Sequence, residues 1–354
     1  MQKIKIYGVV FLLSCLKFNL HAQDIHFSHF YQSPMTLNPA LTGVFNGDMR
    51  LLTNYKDQWK NVATAYKTFA ASCDFNRLLK EKFKHGFLGA GLSVFSDKAG
   101  DAEMGITQVN LSLSSSRSLD ERNSVSVGLQ GGFAQRSINF DKLYWDKQYD
   151  QTTGVFDPTA SSGETFTSNK FTYIDFAAGV NWNYGKGEMY STANDQFRAN
   201  FGAAMYHINK PQQSFLGNSD EKLYSKMVLH GSMLIGIKNT NYSFVPSFMF
   251  LKQGSSQEIL AGTMLRYMLK EESRYTGYVK GAAISFGGHY RVKDAMVASM
   301  LLEVANYAIG VSYDVNTSDL KPASSGRGGI EFSLRFITPN PMGGKQSHGN
   351  ARFL

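Results

Sequence analysis

Cysteine is nearly absent from this chain: 354 residues hold two, Cys15 and Cys73. Cys15 lies in an N-terminal stretch that has the layout of an export signal. The expected mature protein therefore keeps a single thiol and no intramolecular disulfide, even in an oxidising compartment. Cys73 reads as a small apolar side chain on a strand. Beyond the N-terminus no apolar run reaches the roughly twenty residues a membrane-spanning helix needs. Clusters of basic residues are also missing, so the formal charge of +8 is too scattered to argue for nucleic acid. No Gly-x-Ser-x-Gly motif occurs that would place a serine nucleophile on a strand–turn–helix elbow. His26 and His29 stand three apart, but no Cys, and no nearby acid other than Asp24, completes a metal set. Neither catalysis nor a cofactor is expected.

What is present begins with Met1–Lys5, a short positive region, followed by the apolar run Ile6–Leu13 and the small residue Ala22 before Gln23. That order is a cleavable export signal, residues 1–22. A lipoprotein cleavage at Cys15, after Leu12-Leu13-Ser14, is the rival reading. Removal of 1–22 takes away Lys3, Lys5 and Lys17 and lowers the formal charge from +8 to +5.

The exported remainder alternates. Val109, Leu111 and Leu113 interleave with Gln108, Asn110, Ser112 and Ser114, and Val125, Val127 and Leu129 with Ser126, Gly128 and Gln130. Ile174, Phe176, Val180 and Trp182 are phased against Asp175, Gly179, Asn181 and Asn183 in the same way. Period-two alternation puts the two sets on opposite faces of a strand. The polar face is Ser, Gly, Asn, Gln and Thr rather than Lys and Glu. That suits a barrel with a polar interior and a lipid-facing exterior better than a water-facing sandwich.

Such segments are expected near 49–58, 64–75, 86–96, 105–117, 123–136, 171–185 and 197–208. Seven more are expected near 225–238, 241–252, 256–269, 282–292, 294–303, 305–314 and 328–337. The fold class is therefore all-β, a transmembrane antiparallel β-barrel of about fourteen strands spanning 48–337. Tyr55, Trp59, Tyr184, Tyr190, Tyr307 and Tyr313 lie near segment ends, at headgroup level. Turn-forming and charged stretches such as 97–103 and 120–123 read as connections.

Three regions fall outside the repeat. Residues 23–47 carry Pro34 and Pro39, which oppose a regular strand, and read as an ordered plug-like segment able to act as a hatch in the barrel mouth. Residues 137–169 form a long strandless central loop, of a length that is usually functional or disordered. Residues 338–354 read as a flexible tail.

Gln23–Pro34 with Leu37–Gly43 (QDIHFSHFYQSP and LNPALTG), then Asn54–Trp59, Phe140–Tyr149, Phe156–Pro158, His207–Phe215 and Ser312–Asp314, resembles the PorP/SprF family of type IX secretion system membrane proteins. The resemblance runs in order along nearly the whole mature chain. His29 departs from it, standing where a Gln is usual, and the tail beyond Phe336 is longer. The resemblance implies an outer-membrane location and association with the secretion and gliding machinery, including a periplasmic lipoprotein ring. For several members it also implies a large secreted adhesin that is exported or held at the surface. His26, Phe27, Tyr31, Asn38 and Pro39 carry the family opening.

Charges inside predicted strands define a second candidate group: Asp175, Arg198, Glu258, Arg266, Glu303, Glu331 and Arg335. A charge at mid-depth on the lipid face costs roughly 2–4 kcal/mol, so these are expected to face the lumen and pair there. A selective pore for small or hydrophobic solutes is the alternative function. A lipid hydrolase built on His207, His230 or His289 with one of the many strand serines has no motif behind it. Tyr144, Trp145, Tyr149 and Phe156 put large aromatics in the central loop, either as anchors for a partner or folded back over the barrel.

Overall fold

The computed structural model describes residues 24–58, 66–76, 86–150, 154–157, 159–163, 168–186, 194–215, 221–270, 281–318 and 326–338. The expected export signal at 1–22, Gln23, Trp59, Pro158, Tyr190 and the expected flexible tail after Thr338 lie outside these residues.

Fourteen antiparallel strands close into one barrel. They are β1 (Met49–Gln58), β2 (Tyr66–Phe75), β3 (Gly86–Ala99), β4 (Met104–Ser118) and β5 (Asn123–Ser137). After a small ribbon, β6 (Tyr149–Asp150) and β7 (Val155–Phe156), come β8 (Lys170–Lys186), β9 (Phe197–Tyr206), β10 (Lys226–Gly236) and β11 (Tyr242–Gln253). The wall is completed by β12 (Ser256–Lys270), β13 (Ala282–Arg291), β14 (Ala295–Val304), β15 (Tyr307–Asn316) and β16 (Arg327–Ile337). Each strand pairs with its neighbour in sequence across β6 and β7. β1 meets β16 in a register running from Arg50 opposite Ile337 to Gln58 opposite Gly329. Closure leaves no unpaired edge, which is what allows a sheet to cross hydrocarbon.

The two-faced pattern fixes which side is in. On β4 the Ser112 side chain is fully buried while Leu111 is 56% exposed; on β5, Ser126 is fully buried and Leu129 is 68% exposed. A buried serine set inside and bare leucines outside is the inverse of a soluble core, and it defines an outer surface solvated by lipid. The fourteen barrel strands run from 10 to 17 residues, long enough for tilted membrane strands. No helix among the described residues is long and apolar enough to cross a membrane.

The connections 138–169 and 207–225 open at the end opposite Met49 and Ile337, hereafter the long-loop end. Turns such as 119–122, 237–241 and 305–306 close the other. In the first of these Asp120 Oδ1 accepts the amides of Arg122 and Asn123, each at 2.7 Å. In the two-residue β11–β12 turn Gly254 takes φ +58°, which a side chain would resist.

Three expectations need correction. The central connection is not strandless: β6 and β7 form a ribbon within it, Tyr149 opposite Phe156 and Asp150 opposite Val155. Its local pairing is too short to register as alternation. Residues 97–99 belong to β3 and not to a turn, because Asp97 pairs with Ile106 and Lys98 with Gly105. β9 ends at Tyr206 rather than 208, since His207 turns the chain at φ +55°.

Candidate functional site: the occupied lumen

Residues 24–48 run down the inside of the barrel from the long-loop end to the start of β1. Asp24 meets the upper ends of β10 and β11, and Asp48 sits level with Thr338, its amide donating to that residue's carbonyl at 3.4 Å. Two prolines break the segment into a single α-helical turn at Pro34–Leu37 and a 3-10 turn at Pro39–Leu41, preceded by another at Phe30–Gln32. Phe27, Phe30, Met35, Leu37, Leu41, Val44 and Phe45 are all buried, and Phe30, Leu37 and Leu41 pack with Val228, Met249, Leu260 and Val297 of the wall. The lumen thus has a folded core made of the family-opening residues.

Asn38 is the centre of this packing and is fully buried. Its Oδ1 accepts the Ala40 amide at 2.9 Å, capping the turn that Pro39 begins. Its Nδ2 donates to the Val180 carbonyl at 2.9 Å and lies 3.0 Å from His230 Nε2. With Nε2 accepting from Asn38, His230 Nδ1–H donates to the Tyr31 hydroxyl at 3.3 Å. Room for this is made by glycine: a Cβ on Gly128 would lie 2.5 Å from the Pro39 carbonyl oxygen, and one on Gly179 3.0 Å from Asn38 Cγ. Both glycines occupy inward positions, so the wall there is bare backbone.

At the upper end Asp24 is held on three sides. His207 Nε2 lies 2.5 Å from Asp24 Oδ2, Lys226 Nζ 3.3 Å from the same oxygen, and the Asp24 amide donates to Gln253 Oε1 at 3.0 Å. His207 Nδ1 lies 2.9 Å from Asp175 Oδ1, which places the imidazole between two carboxylates. Burial alone would lower His207, but Asp24 and Asp175 outweigh it and raise the ring to about 9. Burial would likewise raise Asp24, yet Lys226, His207 and Arg136 hold it well below the usual carboxylate range.

A step lower, Glu331 accepts the amide of Ser28 at 2.9 Å and that of His29 at 3.2 Å, while Lys56 Nζ lies 3.1 Å away. Ser28 Oγ donates to Asp314 at 2.9 Å, and Arg291 reaches Asp314 at 3.0 Å and Glu258 at 3.2 Å. His26 Nε2 lies 3.2 Å from Glu258. Near the bottom Arg50 grips Asp74 through Nε at 3.0 Å and a terminal nitrogen at 2.6 Å. The same arginine donates to the Leu41 carbonyl at 3.1 Å, and Asp74 accepts the Gly43 amide at 2.8 Å. Each of these pairs therefore ties wall to segment as well as charge to charge.

The seven strand charges singled out from sequence all point inward. Asp175, Glu258 and Glu331 join the upper network. Arg266 and Arg335 clasp Glu303 at 2.8 and 2.9 Å on the lower wall. Arg198 donates to Gln196 at 3.0 Å, apart from the others. Sequence reasoning missed Asp24 as a partner, and also Lys56, Asp74, Lys226, Arg291 and Asp314. Of the family-opening residues, His26, Phe27, Tyr31, Asn38 and Pro39 all lie in the lumen. In the central connection Tyr144 is 79% exposed and Tyr149 51%, while Trp145 and Phe156 are half-buried. Tyr144 and Phe156 pack edge to face with centroids 4.9 Å apart.

The three histidines weighed for a hydrolase all lie against lumenal partners. His207 and His230 are engaged as described. His289 Nε2 lies 2.8 Å from Ser247 Oγ, but its Nδ1 is buried with no acceptor and Phe30 packs edge-on against the ring. Among the described residues no carboxylate bonds that nitrogen, the position from which an acid would orient a base.

A closed barrel with an apolar exterior and a lumen filled by its own N-terminal segment is a transmembrane β-barrel built to be occupied inside. The sequence matches the family described as type IX secretion system membrane protein PorP/SprF over residues 19–336. The chain belongs to that family. No curated protein matches it. Among solved structures it is similar to the CymD monoaromatic hydrocarbon channel, with 11% identity and a TM-score of 0.42, covering 87% of this chain and 93% of that one. It is also similar to the P. putida toluene transporter TodX, with 8% identity, a TM-score of 0.43 and coverage of 84% and 92%. A Pseudomonas aeruginosa FadL homologue gives 12% identity, a TM-score of 0.40 and coverage of 84% and 91%.

Proposed function

We propose that this protein is a sealed, non-enzymatic outer-membrane barrel that serves type IX secretion as a fixed attachment body and not as a conduit. The observation that carries the reading is the segment 24–48. It fills the lumen with apolar side chains and is bonded to the wall at its top (Asp24), middle (Asn38) and bottom (Leu41 and Gly43). With the longer connections outside, as in bacterial barrels generally, Tyr144 and Tyr149 face the exterior and the short turns face the periplasm. Family membership supports a machinery partner at the periplasmic face, a lipoprotein ring, and a large secreted adhesin at the outer one. Tyr144 and Tyr149 are the anchors proposed for the outer contact.

The test has two arms. The full mature chain in planar bilayers should give no steady conductance, and affinity capture from membranes should recover a periplasmic lipoprotein or a secreted adhesin. Conductance that rises with small solutes, together with capture of neither partner, would replace this reading with a channel whose hatch is residues 24–47.

A further inference from the structure

The outer wall carries one feature that lumen packing does not require. Across β3 to β10 the lipid-facing surface is dented by a concavity of about 740 Å³, within the roughly 300–1,000 Å³ range of ligand-binding clefts. Its floor is Ala178 and Ala203, and its rim includes Leu129, Met205, Met227 and Leu229. The register explains the shape. Leu129, Ala178, Met205 and Met227 are partners along one ladder row, and Val180, Ala203 and Leu229 along the next, so an alanine in each row sits between longer side chains.

The following row, one step nearer the short-turn end, changes chemistry. Arg117 is opposite Val125, Val125 opposite Trp182, and Trp182 opposite Phe201. Trp182 and Phe201 stack with centroids 5.9 Å apart, and Trp182 Nε1 donates to Asn123 Oδ1 at 3.1 Å. An indole with its ring in lipid and its N–H on the first residue of β5, beside the 119–122 turn, marks the headgroup level. Arg117 is exposed in that same row and makes no ion pair among the described residues. On β4 the dent reaches Ser115, and Arg117, the next outward position on that strand, puts a cation just beyond it at the depth where lipid phosphates lie.

We propose that this groove binds a glycerophospholipid, with an acyl chain over Ala178 and Ala203 and its phosphate on Arg117. The orientation rests on the reading above, which places Arg117 in the periplasmic leaflet and so selects a phospholipid over lipid A. The wall at this point has Gly128 and Gly179 on its inner side, against Pro39 and Asn38. The bound chain and the lumenal segment are therefore separated by backbone alone.

Native mass spectrometry of the full chain with added 1-palmitoyl-2-oleoyl phosphatidylglycerol tests this, with folding checked by heat-modifiable gel migration. The wild type should retain one lipid through gas-phase activation. Ala203→Trp, which fills the floor, should abolish retention. Arg117→Gln should weaken it by about fivefold, the factor matching ~1 kcal/mol per basic side chain at an anionic surface. A smooth adduct distribution identical in all three proteins would overturn the proposal, as would preferential retention of lipid A. A dimer of the wild type that Ala203→Trp dissolves would overturn it too, by giving the groove to a second copy. The sealed-lumen reading is decided separately, by conductance.

Discussion

His207 stands between two carboxylates, Asp24 from the lumenal segment and Asp175 from β8, with nitrogen–oxygen distances of 2.5 and 2.9 Å. Because its folded value is raised to about 9, above the ordinary 6.5, the imidazolium contributes stability that is fully present below about pH 6.5. That contribution is lost as pH rises through about 9. Asp24 is shifted the other way, so its contribution is present above the ordinary carboxylate range and is lost only in strong acid. We expect hydrogen exchange at the amides of 24–31 to accelerate between pH 7 and pH 10 beyond the intrinsic rate increase. His207→Gln should remove that pH dependence and loosen the segment at neutral pH. Equal pH profiles in the two proteins would refute the latch.

Asp74→Asn leaves the Arg50 guanidinium buried beside a neutral partner. We expect a loss of about 3–5 kcal/mol, the usual cost of breaking a buried pair from one side, read as a lower denaturation midpoint in detergent. Arg50→Met combined with Asp74→Leu should recover most of it. A double mutant as weak as the single would mean that the bonds to Leu41 and Gly43, rather than the charge pair, hold the bottom of the segment.

Asn38→Asp keeps the cap on Ala40 but cannot donate to Val180 or His230. We expect it to be worse than Asn38→Ala, each costing on the order of 1–3 kcal/mol for buried groups left unsatisfied. Thermal melts followed by heat-modifiable mobility rank the two.

Gly179→Leu puts a side chain where the Asn38 amide sits. The barrel ladder tolerates leucine, so we expect a folded barrel with a displaced segment and the appearance of ion conductance that the wild type lacks. A silent, folded Gly179→Leu would show that the lumen stays closed without Asn38 in place.

Much of the wall was legible because lipid and lumen impose opposite chemistry on alternate residues. Val109, Leu111 and Leu113 against Gln108, Asn110 and Ser112 was enough to orient β4, and the strand positions follow the same rule around the barrel. The inward charges were legible for the same reason when they lay well inside a strand, as Asp175 and Glu331 do. Lys56, Asp74, Lys226, Arg291 and Asp314 were not, since a charge near a strand end looks like part of a turn. The Asp24–His207 contact joins residues 183 apart in sequence, and no local pattern carries it. Gly128 and Gly179 were visible signals left unread. A glycine at an inward strand position marks close backbone approach, and here it records the seat of Asn38 and Pro39.

The seam between the first and last strands has a bearing on how the molecule is made. Because Met49 starts β1 directly below a segment that climbs the interior, residues 24–48 must already be inside when β16 arrives to pair with β1. A cylinder zipped shut beforehand offers no route by which some twenty-five bulky residues could be threaded upward past Arg50 and Asp74. Residues 24–48 are in this sense a mandrel: the wall is wound around them, and the pairing of β16 with β1 locks them in.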